Sequence, residues 1–355
     1  MMKSVITGTG AYIPEVLRSN QDFINNVFYD DKGLPIADAS TTIIEKFQKI
    51  TGIQERRYAP EYLNTSDIAA FAGLKALKDS GIDPETLDQV IVAHNFGDID
   101  HQNPQCQNVP SLASKVKHKL SIRNPRCIAY DILFGCPGWV QGLIQSEAYF
   151  RAGLAKKVLL IGAETLSRII DPYNRDSMIF ADGAGACVLE YLETGEAGAG
   201  ILGCCAETHS RNELNYINMG CSHNAHNGSR LYMKMKGRKV YEYALLHVPE
   251  AIKSCLEKSK VEISEVKKIF IHQANEKMDE EIVRRLFESY GMACPPASMP
   301  MNIQRLGNSS VATVPTLYHM VRKNIIAGHE IFPGDIIVFA SVGAGMSINA
   351  VGYRV

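Results

Sequence analysis

Two stretches of this chain read as copies of one unit. GIDPETLDQVIVAHN at 81–95 and KVEISEVKKIFIHQAN at 260–275 each pass from a helix end through an acidic link into a strand that ends in histidine. Leu87, Val90 and Val92 of the first copy correspond to Val266, Ile269 and Ile271 of the second. After each copy comes a glycine and a residue that opens a helix, Gly135-Cys136 and Gly307-Asn308, and then another strand, VLLIGAE or IIVFASVGAG. Three elements in the same order point to duplication. A duplicated unit restricts the chain to two similar halves about a pseudo-twofold axis, with their functional loops face to face. The junction is expected in the Gly- and Glu-rich stretch YLETGEAGAG (191–200), which gives halves 1–195 and 196–355.

The local pattern sets the class of each half. VIT (5–7), QVIVAH (89–94), KVLLIG (157–162), KKIFIH (267–272) and DIIVFAS (335–341) are short β-branched runs that read as buried strands. Residues 65–81, 240–259 and 277–291 read as helices, the first with a Thr/Ser cap and a glycine stop. Pro249 predicts a kink or break in the second. Strands alternating with helices give an α/β fold. Segments 20–40 and 98–125 lack periodicity and read as long loops. With 37 Lys and Arg against 38 Asp and Glu, the chain has none of the basic excess of a general nucleic-acid binder. No apolar run reaches the roughly 18 residues of a membrane helix, and MMKSVITGTG has no signal-peptide core. A cytoplasmic protein is expected. The nine cysteines form no CxxC pair and no zinc spacing, so most read as small core residues and no metal is expected.

Four motifs carry chemistry. In FGCPGWVQGL (134–143), Cys136 stands where a helix begins, and free N–H groups with the positive dipole end lower a thiol pKa there; the bland alternative is a structural cysteine. His272 in IHQAN ends a strand, where α/β sites usually lie, or is an ordinary loop histidine. Asn308 in RLGNSSVATVPTLY (305–318) has no usable pKa but can donate to a developing oxyanion; it is also good N-cap chemistry. SVGAGMS (341–347) is a small-residue turn whose N–H groups can approach a ligand, or simply a tight turn. TGTGAYIP (7–14) and ADGAGACV (181–188) are incomplete dinucleotide fingerprints.

Together, in this order, these motifs resemble β-ketoacyl-acyl-carrier-protein synthase III of the thiolase superfamily. ITGTGAYIP (6–14), TGIQERRYA (51–59) and DPYNRDSMIFADGAGA (171–186) extend the resemblance over nearly the whole chain. It implies a duplicated thiolase-like five-layer αβαβα sandwich, a homodimer, and a catalytic triad of Cys136, His272 and Asn308. Cys136 accepts an acyl group from a thioester; malonyl-acyl-carrier-protein then loses carbon dioxide and attacks it, giving a 3-oxoacyl product. Backbone N–H groups of Cys136 and of the turn at Ala344 form the oxyanion hole. No cofactor is implied beyond coenzyme A or acyl carrier protein as carriers of substrate. Lys277 matches a family docking arginine; with Arg284 and Arg285 on the same helix, and Lys234 and Lys236 in MKMKGRK (233–239), it forms a candidate carrier-protein surface.

Two positions depart from the family pattern. Lys46 and Ile50 stand where a Trp and an Arg commonly grip the coenzyme A adenine. A specialised polyketide or aryl-lipid synthase therefore stands beside the fatty-acid initiator, with a non-catalytic scaffold of the same fold more remote. A papain-like protease also orders Cys, His and Asn, but its cysteine signature is absent.

Overall fold

The computed structural model describes residues 1–195 and 197–355. Among them, two main sheets carry the fold. The first contains β1 (Met2–Tyr12), β2 (Gln89–His94), β3 (Ile128–Leu133), β4 (Lys157–Thr165) and β5 (Asp182–Glu193), in spatial order β1-β5-β4-β2-β3. The second contains β6 (Gly200–Thr208), β7 (Val266–Ile271), β8 (Ile336–Gly343) and β9 (Ser347–Arg354), in order β6-β9-β8-β7. In each, the two strands of the repeated unit, β2 with β4 and β7 with β8, are parallel neighbours; β3 also runs parallel to β2, and the remaining pairs are antiparallel. The duplication is unequal: β3 has no counterpart in the second sheet, where Ile269 N–H instead donates to the Ser298 carbonyl at 2.8 Å.

Helices interleave with the sheets in five layers. Strand side chains alternate faces, so one strand serves two cores. Val90 and Val92 of β2 face α2 (Thr65–Ser80) and α3 (Leu112–Lys119). Ile91 and Ala93 face the centre, with α4 (Gly138–Arg151) and the 313–322 helix. From the second sheet, Phe270 and Phe339 close that central layer, where Trp139 meets Phe339 edge-on at 5.5 Å. Ile269, Ile271 and Val338 face outward onto α5 (Gly237–Ser259) and α6 (Glu276–Ser289). Glycines let the layers approach: a Cβ on Gly10 would lie 2.2 Å from the Ala72 carbonyl oxygen of α2. The incomplete TGTG fingerprint is thus a packing surface of β1.

Several local expectations change. The cap of α2 is Asn64, whose N–H is accepted by Asp67 at 2.8 Å; Thr65 and Ser66 are buried inside the helix, and Gly81 ends it at φ 71°. Helix α5 continues through Pro249 without a break. Proline removes one ladder bond, but its φ is helical, and Leu245, Val248, Ala251 and Ile252 bury that stretch. Segment 98–125 is not only loop. It holds a short strand pair, 98–99 with 106–107, and α3, with Leu112, Ala113 and Val116 buried. Its N-terminus donates Leu112 and Ala113 N–H to Asp131, each at 2.7 Å. Among the cysteines, 127, 187, 205 and 255 are buried, whereas 106, 221 and 294 are exposed. No helix among the described residues is long and apolar enough to cross a membrane.

Candidate active site

Cys136 stands between β3 and α4. Gly135 takes φ 67°, a left-handed conformation open to glycine, and the chain turns so that Pro137 caps a helix starting at Gly138. The second copy repeats the device: Gly307 takes φ 65° immediately before Asn308. The two loops meet. The Ser310 hydroxyl donates to the Cys136 sulfur at 3.3 Å.

Asn308 is buried and fixed by its main chain. Its N–H donates to the Ile179 carbonyl at 2.9 Å, and its carbonyl accepts Ala181 N–H at 2.8 Å. Its Oδ1 accepts Ser310 N–H at 2.7 Å, closing a local turn. That leaves the Nδ2 amide as the side chain's donor. His272 follows β7 and is 3% exposed; its N–H donates to the Ala340 carbonyl at 2.9 Å. Its Nδ1 lies 2.7 Å from Thr313 Oγ1, so Nε2 is the nitrogen left for chemistry. Burial pushes the imidazole down to about 4, so it is neutral at physiological pH.

The third wall is the turn after β8. Gly343 packs on the nucleophile loop: a Cβ there would lie 2.7 Å from Cys136 N and 2.6 Å from Pro137 Cδ. A Cβ on Gly135 would lie 3.1 Å from Ala344 N. Met346 holds the turn through its carbonyl, which accepts Tyr243 Oη–H at 2.9 Å and His209 N–H at 3.1 Å. The backbone nitrogens of Cys136 and Ala344 thus belong to two turns packed against each other.

One electrostatic expectation is corrected. Cys136 is partly exposed, yet dense enclosure by protein pushes its thiol up to about 11; the Ser310 hydroxyl opposes this, and Glu164 adds to it. The sulfur needs help that a helix end alone was expected to provide. Sequence reasoning missed the residues around it: Asn95, Glu164, Ser310 and Thr313. Ser310 and Thr313 were legible as part of GNSSVATVP, but their spacing gave no role.

The candidate docking cations divide. Lys277 and Lys236 are exposed. Lys234 is not a free surface cation, because it points inward to Asp171, whose side chain has no exposure. Arg284 and Arg285 share Glu281 at 2.6 and 2.7 Å, and Arg284 also pairs with Glu288. On α1 (Ser40–Thr51), Lys46 pairs with Asp38 at 2.6 Å and Ile50 is exposed. Beside them opens a cleft of about 450 Å³ lined by Glu45, Gln48, Lys49, Gly52, Glu276 and Gln304, among others.

Comparison with known proteins agrees with this architecture. Residues 130–210 match the family described as 3-oxoacyl-[acyl-carrier-protein (ACP)] synthase III, and residues 256–355 match its C-terminal counterpart. The β-ketoacyl-[acyl-carrier-protein] synthase III of Paracoccus denitrificans is 31% identical over 100% of both chains. That of Fusobacterium nucleatum is 31% identical over 98% of each. Among solved structures, the synthase III of Thermus thermophilus superposes with a TM-score of 0.80 at 30% identity, covering 99% of this chain and 98% of that one. The enzyme of Aquifex aeolicus gives 0.80 at 29%, covering 99% and 100%. With family models matching 130–210 and 256–355 and full-length relatives at this identity, the chain belongs to the β-ketoacyl-acyl-carrier-protein synthase III family of condensing acyltransferases.

Proposed function

We propose that this chain joins a Cys136-bound acyl group to malonyl-acyl-carrier-protein by decarboxylative Claisen condensation, with Cys136, His272 and Asn308 as the catalytic set. The observation that carries the reading is the meeting of the two repeated loops at Cys136 and Ser310. The Cys136 thiolate attacks the thioester carbonyl, forming a C–S bond and expelling the carrier thiol. The N–H groups of Cys136 and Ala344 receive the oxyanion of that step. In the second step, carbon dioxide leaves the malonyl group and its bonding pair becomes an enolate. Asn308 Nδ2 and His272 Nε2–H donate to the thioester oxygen as charge grows there. Donation from Nε2 requires Thr313 Oγ1 to turn its one proton from the Ser310 carbonyl, 2.9 Å away, to Nδ1. The enolate carbon then attacks the acyl-cysteine and returns the thiolate.

The enzyme acts as a cytoplasmic homodimer, as the family resemblance implies. β3 supports this, since it is an edge strand exposing Ile128 and Leu133 at 56% and 63%. Lys277 and Lys236 remain the cations for an acidic carrier protein, because Arg284 and Arg285 are already neutralised within α6.

The contact of Gly343 with the nucleophile loop gives a steric test. In Gly343→Ala the added methyl must displace Cys136 backbone. Self-acylation, followed by intact-protein mass spectrometry, is expected to slow roughly 10- to 100-fold, as for misplaced reacting groups. An unchanged rate would show that the turn does not shape the site.

The nucleotide end of coenzyme A is held weakly. Lys46 cannot stack as an indole does and is paired with Asp38, and the neighbouring cleft offers Glu45 and Glu276 against Lys49. Stacking on one base is worth about 1–3 kcal/mol, so its loss weakens binding about 5- to 150-fold. The same acyl group is therefore expected to load Cys136 from coenzyme A and from pantetheine at rates within about 100-fold. A preference of several hundredfold for coenzyme A would refute this.

A further inference from the structure

The contact of Ser310 with Cys136 still needs a reason. Ser310 is a non-glycine residue at φ 52°, a strained conformation that persists only where surroundings impose it. Its Oγ has two neighbours. Asn95 Nδ2 donates to it at 3.1 Å, and it donates to Cys136 Sγ at 3.3 Å. A hydroxyl has one proton. With one lone pair occupied by the Asn95 amide, that proton is turned toward the sulfur. Asn95 is itself held. Glu164, 1% exposed, accepts its backbone N–H at 2.8 Å and also its side-chain Nδ2. An oxygen that accepts Nδ2 fixes the amide's orientation, so its NH₂ end must face Ser310.

We propose that Ser310 is a catalytic hydrogen-bond donor to the Cys136 thiolate, and that Asn95 and Glu164 are positioning residues that aim it. This rests on Cys136 being the nucleophile. The set answers the electrostatic difficulty of the site: a sulfur whose burial disfavours the thiolate is given a dedicated donor, and no cation among the described residues shifts its pKa. It also excludes a proton relay to Glu164, because the amide between them has no acidic proton to pass. Glu164 itself is pushed up to about 8 by burial, so its role as acceptor cannot depend on charge. The titratable groups around the sulfur are Glu164 at the end of β4, Asp182 behind it on β5, and His272 beyond Ser310. Asp182, pushed up to about 6 by burial, and His272, down to about 4, have both finished titrating by about pH 8. Above that, the thiol and Glu164 dominate.

The test is the pH profile of Cys136 alkylation by iodoacetamide, read at its own peptide by mass spectrometry. Ser310→Gly removes the hydroxyl while glycine takes the left-handed backbone freely. It is expected to slow alkylation about tenfold at pH 8 and move the profile up by about one pH unit, the worth of a hydrogen bond to a charged group, while its melting temperature holds or rises. Asn95→Asp replaces the donor by an acceptor, turns the hydroxyl away from sulfur, and shifts the profile the same way. Glu164→Gln keeps an acceptor for Asn95 and removes the carboxyl that raises the thiol pKa, so its profile does not move up with those of the other two variants. An unmoved profile in Ser310→Gly, or parental behaviour of Asn95→Asp, overturns the proposal. Failure of the parent Cys136 to alkylate at any pH, with condensation intact, strikes the nucleophile assignment instead.

Discussion

Cys136→Ala protein exposed to an acyl thioester is expected to gain no acyl mass at all. The reason is structural. Of the other cysteines, 127, 187, 205 and 255 are buried in cores, 204 is partly buried, and 106, 221 and 294 are exposed outside the turns that frame Cys136. Cys294 is exposed and hydrogen-bonds Ser298 Oγ at 3.3 Å. Intact-protein mass spectrometry after incubation with a panel of thioesters measures this directly. An undiminished adduct in the variant would remove the nucleophile from the mechanism. The same panel on the parent protein also reveals which acyl groups are accepted.

The second large effect is expected at Asn308 and spares the first step. Removing one oxyanion donor costs about 10²–10³ in rate. Asn308→Ala carries a complication, because Oδ1 also closes the turn to Ser310 N–H. Asn308→Asp keeps that acceptor and deletes only the Nδ2 donor. Asn308→Asp should load Cys136 at a rate close to the parent and Asn308→Ala somewhat more slowly, and both should release carbon dioxide from malonyl-acyl-carrier-protein at least 10²-fold more slowly. The aspartate falls further, since its charge opposes the enolate. Measured with radiolabelled malonyl carrier protein, slow loading with normal decarboxylation would reverse the assigned roles.

Sequence and structure agree where chemistry and local pattern act together. Four of the five β-branched runs became strands buried on both faces, which leaves a continuous apolar signature, whereas in VIT only Ile6 is buried, between half-buried Val5 and Thr7. The repeat foretold that Cys136 and Asn308 loops face one another, and paired positive-φ glycines show why: both copies need the same sharp turn. Of β1 only VIT was legible, and β5 and β9 were not read as strands, since ITGTGAY and DGAGACV are glycine-rich where helices press on the sheet. Helix α3 was hidden because eight residues give too few turns for a period. Residues that act through others were the least legible. Asn95 and Glu164 are 69 positions apart in the chain, and no spacing rule joins them. The lowered thiol pKa expected at Cys136 failed for a related reason: burial depends on what arrives from the other half.

Strand order also bears on how the molecule comes into being. β1 pairs with β5 at 182–193, and β6 pairs with β9 at 347–354. As the chain leaves the ribosome, the first sheet can close once β5 has emerged, while the second must wait for β9. Cys136 belongs to the first sheet's unit; His272, Asn308 and Ser310 arrive with the second. A nascent molecule therefore holds its nucleophile without the groups that arm it, and chemical competence appears only when the last strand locks in place.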